Sequence, residues 1–92
     1  SRMWYRVKGD KDVPLYEELI NIVNYFNQSC IIIIDDCRLF ETGPTLNNGS
    51  EDWVDINTEK ILSIVEQRLE KYHFSPSYLH KEDRLLIYLN KK

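Results

Sequence analysis

The run Cys30-Ile31-Ile32-Ile33-Ile34, closed by Asp35 and Asp36, constrains this chain more than any other segment. Consecutive β-branched side chains are stiff at χ1 and fit a pleated strand better than a helix. With apolar groups on both of its faces, the segment 30–35 reads as a buried, central strand of a largely parallel sheet. At five residues it is also the longest apolar run, far below the ~20 that a membrane-spanning helix needs. No membrane partner and no apolar or arginine-rich leader is expected.

The flanking segments place helices on either side of that strand. Leu15, Leu19, Ile22, Val23 and Phe26 recur at helical spacing, with Pro14 in the first turn, Asp12 as N-cap, and Glu17 and Glu18 where the helix dipole favours carboxylates. Ile61, Leu62, Val65, Leu69 and Tyr72 predict a second helix from Asn57 to Tyr72, capped by Asn57 and stapled between Ile56 and Ile61. Arg84 to Leu89 reads as another buried strand, with Lys71 to Phe74 a candidate antiparallel neighbour, and Met3 to Val7 as a short edge strand. Between the strand and the second helix, residues 36–56 collect Gly43, Pro44, Asn47, Asn48 and Gly49 into a long loop. Strands alternating with amphipathic helices predict one α/β domain over residues 1–92, in two or three layers.

Charge and cysteine usage narrow the setting. Twelve basic against fifteen acidic residues give a net charge of −3, which argues against non-specific nucleic-acid or anionic-membrane binding. Cys30 and Cys37 fit neither a metal knuckle nor a disulfide framework, so a reducing, cytoplasmic location is expected. Ser1 and Arg2, ahead of the only methionine, read as a remnant without structural weight.

Candidate chemistry gathers where the Ile-rich strand ends. In open α/β sheets ligands bind outside the carboxyl ends of the strands, which is where Asp35 and Asp36 stand. Adjacent in an extended chain, their side chains should point to opposite faces. Paired carboxylates suit a hard cation such as Mg²⁺, with water completing its shell; a solvated turn is the plainer reading. Arg38 and Trp53 are the candidate substrate contacts, a guanidinium for an anionic group and an indole for a flat one, against the commoner uses of surface ion pair and loop anchor. Glu51, Asp52 and Asp55 read as a solvated rim. His73 and His80 lack metal-ligand spacing. Cys37 has no identifiable base, so catalytic residues are unknown. There is no Walker loop and no Gly-x-Gly cradle.

The strings KDVPLYEELINIVNYFNQSCIIIIDDCRLF, EDWVDINTEKILSIVEQRL and DRLLIYLNK together resemble the C-terminal half of a class I S-adenosylmethionine-dependent methyltransferase-like domain, in a group found in bacteria and giant viruses. The resemblance runs from Gly9 onward. It implies a partial Rossmann-like sheet in which Ile31 to Ile34 lie in the fifth strand, Asn57 to Tyr72 form the last helix, and the chain ends in antiparallel sixth and seventh strands. Macrocin-type sugar O-methyltransferases are similar in holding Mg²⁺ with an acidic pair at the end of the fifth strand, a role that Asp35 and Asp36 inherit by resemblance. The family's glycine-rich loop and ribose-binding carboxylate have no counterpart here, and Met3 to Lys8 replace its acidic fourth-strand segment. The resemblance thus implies a truncated or split methyltransferase-like protein, not competent alone, that takes S-adenosylmethionine only when another chain completes it. The alternative expectation is a non-enzymatic module reusing the half-fold as a homo-oligomer.

Overall fold

The computed structural model describes residues 2–8, 14–43 and 52–92. The expected cap at Asp12, the Gly9 turn, the Pro44 to Ser50 part of the long loop and Glu51 lie outside these residues. Along the chain the elements are β1 (Met3–Val7), α1 (Leu15–Tyr25), β2 (Cys30–Ile34), a 3₁₀ turn (Cys37–Leu39), α2 (Thr58–Val65), a second 3₁₀ turn (Glu66–Arg68), β3 (Leu69–Ser75) and β4 (Arg84–Leu89). The fold is mixed α/β, with four strands in the order β1-β2-β4-β3. β1 runs parallel to β2, whereas β4 is antiparallel to both β2 and β3.

The β-branched run of β2 takes the central position it was expected to take, flanked by β1 and β4. Its even-numbered residues, Cys30, Ile32 and Ile34, join Val7, Leu85, Ile87 and Leu89 on one face of the sheet. Against that face pack Leu15, Leu19 and Val23 of α1 with Ile61 and Val65 of α2, forming a single core. The helices therefore make one layer and the sheet the other. α1 begins at Leu15, one residue past Pro14, whose carbonyl accepts the first helical bond from Glu18 N at 3.0 Å. Asn57 caps α2 as expected, its side chain accepting from Lys60 N at 2.9 Å.

One boundary differs from the sequence expectation. α2 stops at Val65, and Leu69 and Tyr72 belong to β3 instead of a helix running to residue 72. Glu66 to Lys71 are good helix formers, but pairing with β4 from Leu69↔Leu89 to Ser75↔Arg84 overrides that local preference. Arg68 fixes the changeover. Only 6 % exposed, it donates to the carbonyls of Ile22, Val23, Phe26 and Gln28 at the carboxyl end of α1, and to that of Asn90 after β4. The Ile22 and Val23 carbonyls lie in the last turn of α1, where the negative end of the helix dipole favours a cation. A buried cation is thereby satisfied without a carboxylate.

The opposite face of the sheet has no described helix on it. Register aligns Trp4, Ile31 and Tyr88 in one row and Arg6, Ile33 and Leu86 in the next. Trp4 is 59 % exposed, and Ile33, Leu86 and Tyr88 are half-buried, while Ile31 is shielded between its neighbours. Lys71 Nζ lies 4.8 Å and Arg2 Cζ 5.6 Å from the Tyr88 ring centroid. Arg2 also pairs with Glu70 at 2.6 Å. Among the described residues, no helix is long and apolar enough to cross a membrane.

Candidate functional site

β2 delivers Asp35 and Asp36 to the carboxyl edge of the sheet, and there the two part company. Asp36 adopts a left-handed backbone conformation (φ 62°), which a short acidic side chain tolerates better than most. That turn starts the 3₁₀ segment and sends the Asp36 carboxylate to Arg38 Nη1 at 3.0 Å. Asp35 keeps the strand's alternation and stands with Arg6 and Arg84 on the face without helices. Arg6 Nε lies 3.0 Å from its Oδ2, and Arg84 Nε donates to its Oδ1 at 3.2 Å. One carboxylate is thus shared by two guanidiniums, one from each strand beside β2.

Behind this pair sits a second charged assembly centred on Asp83, which is 2 % exposed. Its carboxylate accepts from Arg38 Nη1 at 2.8 and 3.0 Å, from Arg38 N at 3.2 Å and from Ser77 Oγ at 2.6 Å. Its carbonyl accepts from Cys37 N at 2.9 Å, so the 3₁₀ turn after β2 is clamped to the β3–β4 connection. Burial pushes the Asp83 carboxyl up, but the hydrogen bonds from Ser77 and Arg38 outweigh it and hold the group below its ordinary value. Ser77 Oγ in turn accepts from Leu79 N at 3.0 Å, ordering the turn that carries Tyr78.

Between these groups lies an open cleft of ≈ 560 Å³, walled by Arg6, Lys8, Asp35, Arg84, Trp53 and Tyr78 among others. Trp53 serves the loop as well as the cleft. Its ring stacks on Phe40 at 5.9 Å, and its carbonyl accepts from Glu41 N and Ile56 N, both at 3.0 Å. Of the residues singled out in the sequence, Asp35, Asp36 and Trp53 meet at this cleft, whereas Arg38 does not line it and is spent on Asp36 and Asp83. Arg6, Arg84, Asp83 and Ser77 were not read from the sequence as site residues. Arg6 and Arg84 sit in strands whose pairing partners only the fold reveals, and Asp83 resembles any charge before a strand.

The donor set bears on what could bind. Both oxygens of Asp35 are engaged by guanidinium nitrogens and the Asp36 carboxylate by Arg38, so a Mg²⁺ ion held by the pair would have to displace those arginines. Among the described residues no group of three or more His, Cys, Asp or Glu is placed to hold a metal ion. Among the described residues no basic side chain is hydrogen-bonded to Cys37. Burial pushes its thiol up to about 12, and Sγ lies 3.3 Å from the Ile34 carbonyl. Cys30 is also a free, buried thiol, pushed up by burial. His80 Nδ1 accepts from Glu82 N at 3.0 Å within the hairpin turn, and the His73 ring lies 5.6 Å from that of Tyr88. Compared with protein-family models, curated proteins and solved structures, the chain matches none.

Proposed function

We propose that this chain acts as the C-terminal portion of a methyltransferase-like fold, joined across β1 by further strands that carry the cofactor site, and that it is not catalytically competent by itself. The observation that supports this best is the sheet order. A parallel pair, β1 and β2, is followed by a terminal antiparallel hairpin, as the resemblance implies for the sixth and seventh strands, and its last strand lies beside β2. β1 stands where a fourth strand would, with its far edge unpaired among the described residues. Among the described residues, the face bearing Trp4, Ile33 and Leu86 also carries no second helical layer of the kind a doubly wound sheet has.

On this reading S-adenosylmethionine enters only with the completing segment, since no glycine-rich turn is available to receive its charged and ribose groups. Calorimetric titration of the chain alone with S-adenosylmethionine should give no saturable heat. Micromolar binding by the isolated chain would overturn the reading. A second reading is favoured by the exposure of Met3 (54 %) and Trp4 (59 %) on an edge strand: a non-enzymatic module that pairs β1 with a copy of itself. A two-chain mass that persists at nanomolar concentration, with β1 amides protected from hydrogen exchange, would support this alternative over the first, whereas weak association at higher concentration would not.

A further inference from the structure

The two guanidiniums that flank Asp35 change what the end of β2 can bind. Arg6 and Arg84 bring two positive charges to one carboxylate, and Lys8 adds a third cation to the same cleft. Asp36 and Asp83, the other carboxylates lining the cleft, are both engaged by Arg38. The lining carries three cations and three carboxylates, and Arg38 behind it counters Asp36 and Asp83, so that within the cleft Arg6, Arg84 and Lys8 face Asp35 as the carboxylate not taken by Arg38.

Geometry adds to the balance. Arg6 and Arg84 both approach Asp35 through Nε, and no hydrogen bond joins an Nη atom of either to another described residue. A guanidinium presents five donors in a planar fork matched to carboxylate and phosphate oxygens, so unused Nη donors at a cleft are ready partners for an anion. Arg6 comes from β1 and Arg84 from β4, on opposite sides of the strand that carries Asp35. Their shared tie to Asp35 holds the two forks on the same edge, which reduces the ordering cost of gripping a ligand. The aromatic rings of Trp53 and Tyr78 at the wall give an apolar surface beside the charged one.

We propose that this cleft is an anion site, in which Arg6, Arg84 and Lys8 hold the phosphate or carboxylate group of a small molecule beside the Asp35 carboxylate. Asp35 acts as the positioning residue for the two arginines, not as a metal ligand. The proposal is independent of what pairs with β1, because all the groups it uses belong to the described chain.

Titration of the ¹⁵N-labelled chain with inorganic phosphate, followed by the amide shifts of Arg6, Lys8, Asp35 and Arg84, tests it, with acetate as a second probe and MgCl₂ as the competing one. Saturable shifts with phosphate are expected, weaker with acetate and diminished by added salt. Arg6→Gln and Arg84→Gln should each weaken phosphate binding about tenfold while leaving the dispersion of core resonances unchanged. Asp35→Asn keeps the side-chain oxygen that accepts from Arg84 Nε and removes the competing negative charge, so it should tighten phosphate binding, a change of opposite sign that loss of fold cannot imitate. Absence of saturable shifts with either anion, shifts indifferent to both arginine variants, or saturable Mg²⁺ shifts centred on Asp35 would each overturn the proposal.

Discussion

Two buried charges decide how the chain closes on itself, and they do so by different means. Arg68 is satisfied by carbonyls alone and joins the end of α1 to the end of β4. Asp83 is satisfied by Arg38 and Ser77 and joins the 3₁₀ turn after β2 to the β3–β4 connection. Its carboxyl is held below the ordinary 3.8, so the folded state favours the ionised form. The stabilisation is therefore fully present above the unfolded value near pH 3.8 and is lost as pH falls through the lower folded value. Asp83→Asn should cost about 2 kcal/mol at neutral pH, because it weakens the charge-assisted hydrogen bonds from Arg38 and Ser77 to a buried group, while Arg38 keeps Asp36 as a counter-charge. The same variant should show a flatter fall in melting temperature below pH 4, set against the ordinary 3.8 of the carboxyl. Thermal melts of both proteins between neutral and acid pH check this; an unchanged acid slope would remove Asp83 from the account. The flanking pair at Asp35 contributes less, since Arg6 and Arg84 side chains are 54 % and 43 % exposed and solvent screens them.

Elements were legible in the sequence wherever one local signal stood alone. The Ile-rich run could only be a strand, and Asn57 followed by an apolar stripe could only open a helix. The stretch from Glu66 to Tyr72 carried helix-forming residues at helical spacing, and only its last two residues overlapped Lys71 to Phe74, the candidate strand. Non-local pairing with β4 decided for the strand, and no window of sequence contains that partner. The acidic pair was placed correctly at the end of β2, but its neighbours Arg6 and Arg84 lie 29 and 49 residues away and are brought together only by the sheet. Where elements meet, single hydrogen bonds set the geometry. Tyr16 Oη on α1 donates to the Asp55 carbonyl at 2.7 Å and accepts from Asn57 N at 3.1 Å, pinning the first turn of α2 to α1. Asn57→Ala should destabilise by about 1 kcal/mol through loss of the cap, and Tyr16→Phe by about 1 kcal/mol. Because both act on one turn, the double variant should lose less than the sum. Urea unfolding of the four proteins in the cycle measures the coupling, and strict additivity would show that the two contacts act separately.

At the scale of the whole molecule, the described helices cover one sheet face and not the other, and among the described residues β1 ends the sheet with an unpaired edge. An antiparallel pairing of two β1 strands about Tyr5 would set Met3 opposite Val7, and Trp4 opposite Arg6, of the second copy. Trp4 and Arg6 share the face without helices, so each crossing would place a guanidinium against an indole, a favourable cation–π arrangement. Five residues of edge bury less than the ~1,000 Å² typical of a stable interface, so self-association should be weak and concentration-dependent, no tighter than the micromolar range. The net charge of −3 adds only mild repulsion, increasingly screened as salt is raised. Trp4→Lys tests this arrangement. It sets a cation opposite Arg6 of the second copy and removes the exposed indole, while the core face, to which Trp4 does not contribute, is left intact. Light scattering across a wide concentration range should show a rising mass for the parent chain and a single-chain mass for Trp4→Lys, with matching circular dichroism. A parent chain that stays monomeric throughout would mean that β1 does not associate with a copy of itself, leaving the edge to a strand of different sequence.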